Sequence, residues 1–112
     1  MKEYRRGSHT RLELEIHLVW CTKYRKKILK GDLAHRFRDL AREICSELNV
    51  EIIKGVVSGD HVHMLVSIPP QLAVSKLVQR IKGKSSYKLQ REFKSLHKVY
   101  WGQRMWARGY FA

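Results

Sequence analysis

Apolar and polar side chains alternate along residues 11–21, which is the pattern of a strand with one buried face. Aliphatic and aromatic side chains take one set of alternate positions, namely Leu12, Leu14, Ile16, Leu18 and Trp20. The other set is Glu13, Glu15, His17, Val19 and Cys21. Successive side chains of a strand point to opposite faces. We therefore expect a helix-covered face and a more open face that carries Glu15 and His17.

The pattern changes after residue 31 to apolar positions three and four residues apart, which predicts an amphipathic helix that covers a sheet. These positions are Leu33, Phe37, Leu40, Ala41, Ile44 and Leu48. Asp32 is predicted as the N-cap and Asn49 as the end of the helix. We expect this helix to serve the core and to carry no chemistry of its own.

A hairpin is predicted next, with strands at 50–57 and 61–68 joined by the short turn Ser58-Gly59-Asp60. Pro69 and Pro70 cannot continue a central strand and should end the pairing. A second helix is expected at 71–93, an irregular stretch at 94–104 and a last strand at 105–112. The order strand, helix, strand, strand, helix, strand predicts an α+β fold, a ferredoxin-like (RRM-like) sandwich with two helices on one face of an antiparallel sheet.

Length and composition limit the protein class. The chain of 112 residues suits a single domain over 1–112. We see no apolar run of membrane-spanning length and no secretory signal, and expect a cytoplasmic protein without a membrane partner. The two cysteines, Cys21 and Cys45, match no disulfide framework or zinc-ligand spacing, so we expect buried free thiols.

The net charge of +13 is unevenly distributed. Residues 1–30 carry a balance of +6, residues 31–75 a balance of −2, and residues 76–112 a balance of +9. Segregation of this kind favours a polyanionic partner, above all nucleic acid. A basic solvated surface without a partner is the alternative.

The second predicted helix carries a row of basic side chains opposite its apolar stripe. They recur every four residues and are joined by one more, as Lys76, Arg80, Lys84, Lys88 and Arg91. Like charges at this spacing repel each other, so we interpret the row as a ridge that follows phosphates, with Lys23 and Arg25 as further DNA contacts. Small residues near Gly83 either admit a nucleic-acid backbone or relieve packing. Tyr100 and Trp101 either stack bases or form a small satellite core.

Two histidines flank one valine at the start of the second hairpin strand. His61 and His63 share a face with Leu65, whereas Val62 and Met64 point to the core face. Two imidazoles side by side on a strand can hold one divalent metal ion together. A polar exposed face of an ordinary strand is the alternative interpretation of the pair.

This stretch resembles a known motif. Gly59-Asp-His-Val-His-Met-Leu-Val66, followed by Pro69-Pro70, is similar to the HUH motif of the single-tyrosine transposases of the smallest insertion sequences, relatives of the REP-associated tyrosine transposases. The resemblance extends in the same order over essentially the whole chain. It includes His17-Leu-Val-Trp20, Thr22-Lys-Tyr-Arg25, Gln79-Arg-Ile-Lys-Gly-Lys-Ser-Ser86 and Trp106-Ala-Arg-Gly-Tyr-Phe111.

The resemblance implies a function and a set of partners. A tyrosine attacks single-stranded DNA and forms a 5′-phosphotyrosine link, and the enzyme recognises DNA hairpins as a homodimer. It also implies that His61 and His63 bind a divalent metal, Mg or Mn, on the open face of a central strand. If the first strand pairs beside them, His17 and Glu15 are candidates for a further ligand. Asp60 is expected on the other face and is a weaker candidate.

The sequence departs from the family pattern at the nucleophile. That tyrosine belongs to a Tyr-x-x-x-Gln helix after the last strand, and none of Tyr4, Tyr24, Tyr87, Tyr100 and Tyr110 has Gln four positions later. We therefore assign no catalytic residue and expect that the catalytic helix is absent from this chain and that the chain does not cut DNA.

Three functions remain open at this level. The first is a transposase without its catalytic helix, and the second is a non-catalytic remnant that binds DNA hairpins. The third is an RNA-binding module, because the same sandwich can present bases on its sheet. Such a module needs exposed aromatic side chains on its strands, and Glu13, Glu15 and His17 disfavour it.

Overall fold

A computed structural model describes residues 14–101 and 103–112 of the protein. Three strands and three helices follow one another as β1 (Leu14–Cys21), α1 (Gly31–Glu47), β2 (Glu51–Val57), β3 (His61–Ile68), α2 (Val74–Glu92) and α3 (Lys94–Tyr100). A short 3-10 turn at Lys23–Arg25 follows β1. The predictions for Tyr4, Leu12 and Glu13 lie outside the described residues.

The strands form an antiparallel sheet in the order β1-β3-β2. The predicted hairpin of β2 and β3 is confirmed, and its turn is closed by a 2.9 Å hydrogen bond from Ser58 N to His61 O. β3 pairs with both β1 and β2 and is therefore the central strand. In the register, Val19 of β1 and Val56 of β2 lie on either side of His63, and Cys21 lies opposite His61.

One face of the sheet is buried under the helices. Leu18, Trp20, Val62 and Met64 belong to the same hydrophobic cluster as Phe37, Ile44, Leu77 and Ile81 of α1 and α2. The alternation predicted for the first strand and the helix-covered face are both confirmed. None of the helices in the described part of the chain is long and apolar enough to cross a membrane.

The starts of two helices differ from the prediction. α1 begins at Gly31 with Lys30 at the N-cap and no side-chain cap, so the prediction of Asp32 as N-cap was wrong. Asp32 lies in the first turn instead, where its carboxylate still interacts favourably with the helix dipole. α2 begins at Val74, because a turn with a hydrogen bond from Leu72 N to Pro69 O precedes it.

The irregular stretch predicted at 94–104 contains α3, and its two aromatic residues have different environments. Tyr100 is buried, and its hydroxyl donates a 2.9 Å hydrogen bond to the carbonyl of Lys23. Trp101 follows in the left-handed conformation, with 82% of its surface exposed. Tyr100 therefore belongs to the core, and of these two residues only Trp101 is exposed.

The last predicted strand, 105–112, is reduced to two isolated bridges on the β1 edge. Trp106 pairs with Thr22, and Phe111 pairs with Val19. Between them Gly109 has φ +81°, which interrupts the extended backbone, and the carbonyls of Ala107 and Gly109 turn to Lys82 of α2. The regular sheet of the described residues therefore has three strands, and the last predicted strand is present only as these two antiparallel bridges to β1.

Candidate metal centre and nucleic-acid interface

His61 and His63 lie at the start of the central strand, on the face that the helices leave open. His63 is exposed and His61 is half-buried, whereas Val62 between them is in the core. A rigid strand between two neighbours thus presents both imidazoles side by side. Both histidines thus lie on one face, as expected for residues two positions apart in a strand.

Asp60 holds the ring of His61. The contact is 3.0 Å between Asp60 Oδ1 and His61 Nδ1, and Arg25 Nε donates to Asp60 Oδ2 at 3.1 Å. The hydrogen bond from His61, followed by that from Arg25, lowers the pKa of the Asp60 carboxyl. An ionised carboxylate only accepts hydrogen bonds, so Nδ1 of His61 carries the proton and its Nε2 is left for a ligand.

Backbone contacts position Asp60 as well. Its carbonyl accepts a 2.9 Å hydrogen bond from Thr22 N, at the end of β1. The preceding Gly59 lies close to Lys27, and a Cβ at position 59 would be 3.3 Å from the Cβ of Lys27. The turn before the histidines is thereby packed against the segment that follows β1. The sequence shows this acidic residue directly before a candidate ligand histidine, but the alternation of a strand predicted Asp60 on the other face.

His17 lies beside His63. Nδ1 of His17 is 3.1 Å from Nε2 of His63, and the ring centroids are 5.3 Å apart. One of these two nitrogens donates the hydrogen bond and the other accepts it, and the tautomers of the two rings decide which one donates. The structure therefore places the predicted residues His61, His63 and His17 on one face of the sheet and brings His17 into contact with His63.

Glu15 lies further along the same face. Its register partner is Ser67, four positions beyond His63 on β3, which places it about 13 Å along the strand from His63. Within residues 14–101 and 103–112, no three His, Cys, Asp or Glu side chains are arranged to hold one ion. Glu15 is thus too far away in this arrangement to share an ion with both histidines.

The donor set fits a divalent cation with few protein ligands. Imidazole nitrogens are suitable donors for first-row divalent metals. Nε2 of His61 points away from the nitrogen that Asp60 holds, as in the carboxylate–histidine–metal pairs of metalloproteins. His63, two positions further along the strand, is the second candidate donor, and its Nε2 lies 3.1 Å from Nδ1 of His17. Water and phosphate oxygens would complete the coordination of such a site.

The predicted basic row lies on the helical layer, on the other side of the sheet from the histidines. Arg80 donates to Glu47 at 3.3 Å, and Lys84 donates to Glu43 at 3.3 Å. Both ion pairs join α2 to α1. Since these two cations already have acidic partners, the row is a weaker phosphate ridge than the sequence suggests. Lys76 lies before this pair and Lys88 after it on the same helix. Arg91 lies over the ring of Tyr87 at 5.2 Å.

The two residues of the 22–30 connection that were predicted as DNA contacts, Lys23 and Arg25, lie on different surfaces. Arg25 reaches Asp60 and belongs to the histidine end of the molecule. Lys23 lies 5.5 Å over the ring of Tyr24 and faces the helical layer. The pair was predicted as one set of DNA contacts, but the structure divides it between two surfaces.

The four tyrosines of the described residues have different surroundings. The hydroxyl of Tyr100 is bonded to Lys23 O, and that of Tyr24 is 3.5 Å from Gln103 Oε1. Tyr110 is half-buried against the core, and Tyr87 is exposed with Arg91 at 5.2 Å from its ring.

Sequence comparison identifies relatives over nearly the whole chain. The profile of the family described as "Transposase IS200 like" matches residues 10–112. The ISDra2 transposase TnpA of Deinococcus radiodurans is 35% identical over 108 residues, which cover 96% of this chain and 77% of that protein. The transposase for insertion sequence element IS200 of Salmonella typhimurium is 36% identical over 104 residues, which cover 93% of this chain and 68% of that protein.

Structural comparison identifies the same fold in two solved proteins. A crystal structure described as that of a transposase from Deinococcus radiodurans R1 matches with a TM-score of 0.81 and 32% identity, over 88% of this chain and 76% of that one. A REP-associated tyrosine transposase bound to a REP hairpin matches with a TM-score of 0.65 over 85% of this chain and 52% of that one. The second match, at 14% identity, is a likeness of fold.

Proposed function

This chain belongs to the IS200-like transposase family, and from that premise we propose that it binds single-stranded DNA folded into hairpins and holds a divalent metal at His61 and His63. The observation that carries the proposal is the pair of imidazoles on the open face of β3, one of them oriented by Asp60. Bound there, Mg²⁺ or Mn²⁺ would polarise a scissile phosphate.

The chain's own residues would do the rest at this site. Asp60 keeps the proton on Nδ1 of His61, so that Nε2 faces a ligand. His17 keeps His63 in place through the 3.1 Å contact between the rings. Arg25, which is held by Asp60, adds a positive charge next to the position where a phosphate would lie. The family chemistry is then attack by a tyrosine hydroxyl on phosphorus, with the 3′-oxygen as leaving group and a 5′-phosphotyrosine as product.

DNA as the partner is supported by charge and by the relatives. The net charge of +13 favours a polyanion. The insertion-sequence transposases to which this chain is similar act in DNA transposition, and a protein of the same fold has been captured on a REP hairpin. Hairpin recognition by this chain is our extension of these facts.

A binding experiment with three nucleic acids tests the DNA part of the proposal. Fluorescence anisotropy should show tighter binding to a single strand with a hairpin than to a blunt duplex, and affinity should fall steeply with salt. An RNA hairpin of the same sequence is the control for an RNA-binding module. Charge reversal at Arg80 and Lys84 is expected to weaken binding, and thermal unfolding must show that these variants remain folded. Equal affinity for hairpin and duplex at every salt concentration would contradict hairpin recognition.

Metal binding is tested separately. We expect Mn²⁺ to bind weakly, and exchanging both His61 and His63 for Ala should abolish this binding while the hairpin affinity in the absence of metal is kept. Electron paramagnetic resonance of Mn²⁺ measures the free and bound ion directly. Undiminished Mn²⁺ binding by the double variant would refute the assignment of the ligands.

We further propose that this chain forms no covalent bond to DNA through its own tyrosines. Attack requires a hydroxyl within reach of the metal-bound phosphate. Tyr100 is buried with its hydroxyl bonded to Lys23 O, and Tyr24 and Tyr87 line a groove of the helical layer, away from the face that carries the histidines. Incubation with Mn²⁺ and a labelled single-stranded hairpin should give no protein–DNA band on a denaturing gel. A band that disappears when one tyrosine is exchanged for Phe would overturn this prediction and would identify the nucleophile.

A homodimer completes the proposal. The segment with Trp106 and Phe111 lies along the β1 edge through two bridges, and Phe111 is largely exposed. A strand edge with free pairing groups is a template for another chain, and a two-fold dimer is the commonest solution. Light scattering at tens of micromolar should give the mass of a dimer, and a monomer mass would contradict the proposal.

A further inference from the structure

A second candidate surface lies on the helical layer, between α2 and the segment 103–110. It is a groove of about 1800 Å³. Pockets for drug-sized ligands have roughly 300–1,000 Å³, so this groove is large enough for an extended segment of a polymer. Its described lining contains Lys23, Lys82, Arg91, Arg104 and Arg108 and no aspartate or glutamate. The groove therefore suits a polyanion.

The two walls of the groove are held together by hydrogen bonds. Lys82 Nζ on α2 donates to the carbonyls of Ala107 at 2.7 Å and Gly109 at 3.0 Å. Nε2 of Gln90 donates to Gln103 O at 2.7 Å. Desolvation, with a smaller contribution from Arg104, lowers the pKa of the Lys82 ammonium. Lys82 thus connects the walls, and the exposed cations Arg91, Arg104 and Arg108 remain for a ligand.

Two tyrosine rings in the groove are exposed, and each carries a cation. Tyr87 is 64% exposed with Arg91 at 5.2 Å from its ring, and Tyr24 is 68% exposed with Lys23 at 5.5 Å. Aromatic rings among basic side chains bind single-stranded nucleic acids, because bases stack on the rings while cations bind the backbone. A duplex, whose bases are already stacked, cannot use such rings.

The backbone around Tyr24 is unusual. Tyr24 has φ 62° and ψ 16°, and Arg25 has φ 53°, so two consecutive residues with side chains adopt the left-handed region. Such conformations are unfavourable for residues other than glycine and are concentrated at functional sites. Here the turn, secured by the 2.8 Å hydrogen bond from Thr22 Oγ1 to Lys26 O, leaves the ring of Tyr24 exposed in the groove.

Gly83 opens the floor of the groove. It lies in the middle of α2, and a Cβ built at this position meets no heavy atom within 4 Å among the described residues. Relief of packing, one of the two explanations offered by the sequence, therefore does not account for it. Close approach of a backbone to the helix remains as the explanation.

We propose that this groove binds an unpaired stretch of single-stranded DNA, with bases stacked on Tyr24 and Tyr87 and phosphates bound by Arg91, Arg104 and Arg108. The inference rests on the proposed DNA-binding function and names the part of the DNA that this surface takes. The groove is separate from the histidine face, because it is built on the helices that cover the opposite face of the sheet.

Ring-removing variants test the stacking. Tyr87→Leu should weaken binding of a labelled oligothymidylate by about 5-fold or more, with a similar loss for Tyr24→Leu, whereas Tyr87→Phe and Tyr24→Phe should bind like the unchanged protein. Trp101→Leu is the matched control, because Trp101 is the most exposed described aromatic residue and does not line the groove. Thermal unfolding checks the fold, and Tyr87 on the surface of a regular helix is the safer of the two positions.

The charges are tested by salt dependence. Arg104→Gln and Arg108→Gln should each reduce the slope of log affinity against log salt by about 1. Arg42→Gln is the control, since it removes the same charge from an exposed position on α1 outside the groove. Equal losses for Tyr87→Leu and Trp101→Leu, or equal slopes for Arg108→Gln and Arg42→Gln, would overturn the groove.

The outcomes separate this inference from the proposed function. If the unchanged protein binds a hairpin and all groove variants bind oligothymidylate equally well, the groove is refuted and hairpin recognition stands. If the unchanged protein binds no DNA at all, both proposals fail. Loss of oligothymidylate binding in the groove variants, with binding of a blunt duplex unchanged, supports the assignment of unpaired DNA to this surface.

Discussion

Asp60 and His61, neighbours in the chain, are joined by a 3.0 Å hydrogen bond between carboxylate Oδ1 and ring Nδ1. Adjacent residues of a strand point to opposite faces, but Asp60 lies in the turn just before β3 and can therefore turn back to the ring. Since the same carboxylate also holds Arg25, one side chain positions a candidate ligand and a cation at the open face.

Removal of the Asp60 carboxylate should weaken the proposed metal site. Carboxylates that orient a ligand histidine typically contribute 10–100-fold in metal affinity, so we expect a loss of about that size for Asp60→Ala. Asp60→Asn keeps a hydrogen-bond acceptor but loses the charge. Its metal affinity should lie between that of the unchanged protein and that of Asp60→Ala. Mn²⁺ titration followed by electron paramagnetic resonance measures the affinity, and Asp39→Ala on the surface of α1 is the control. An unchanged affinity of Asp60→Ala would show that His61 does not depend on this contact.

The hydroxyl of Ser85 should be important for stability. Ser85 is fully buried, and its Oγ accepts a 2.9 Å hydrogen bond from the indole nitrogen of Trp106. Ser85→Ala leaves this buried donor without its acceptor, which should lower the free energy of unfolding by about 1–3 kcal/mol. Urea unfolding measures the loss, and Ser46→Ala at an exposed position is the control. If the hydrogen bond is the cause, the loss should be smaller in a Trp106→Phe background.

Gly83→Ala should stabilise the fold. Glycine inside a helix is less favourable than alanine by about 1 kcal/mol, and the added methyl group meets no described atom within 4 Å. The free energy of unfolding should rise by up to that amount in thermal or urea unfolding. Gly109→Ala is the opposite control, because φ +81° at Gly109 is unfavourable for alanine. A loss of stability in Gly83→Ala would mean that the position is more crowded than the structure indicates.

The ion pair between Arg36 and Glu92 should make the free energy of unfolding fall more steeply as the pH becomes acidic. Arg36 binds both carboxylate oxygens of Glu92, at 2.8 and 3.1 Å, and joins α1 to the end of α2. The hydrogen bond from Arg36 lowers the pKa of the Glu92 carboxyl. Because this pKa is lower in the folded than in the unfolded protein, the ion pair stabilises the fold at pH values above the ordinary pKa of glutamate. The stabilisation is lost as the pH falls through the lowered pKa.

Glu92→Gln tests this dependence. The variant should be slightly less stable at neutral pH, because the pair is partly exposed and screened by water. The difference from the unchanged protein should shrink as pH falls, since protonation of Glu92 then weakens the pair in the unchanged protein as well. Urea unfolding over a series of pH values gives the two curves. Curves that stay parallel down to acid pH would show that the ion pair contributes nothing to stability.

The two thiols should differ in reactivity. Burial raises the pKa of Cys45 to about 12, so its thiolate is nearly absent at neutral pH, whereas Cys21 is half-buried on the strand next to His61. Ellman's reagent should modify one thiol of the native protein and both in urea, because only the thiolate reacts. Cys21→Ser should remove the native reaction. Rapid reaction of both thiols would indicate that α1 opens easily.

Much of the fold follows from local sequence patterns. The period of two in β1 separates Leu18 and Trp20 from His17, and the short turn before β3 dictates an antiparallel hairpin. The same period places His61 and His63 on one face. These features could be predicted because each depends on residues close together in the chain, where spacing alone determines the direction of a side chain.

Other features were decided only by tertiary packing. The contact of His17 with His63, the pairing of Arg80 with Glu47 and the capture of two carbonyls by Lys82 join residues far apart in sequence. Periodicity predicts that the row on α2 is basic, but not that α1 neutralises part of it or that the neighbouring side of α2 borders a groove. Such contacts depend on how the helices pack on the sheet, where a side chain finds its partner through distance and not through spacing along the chain.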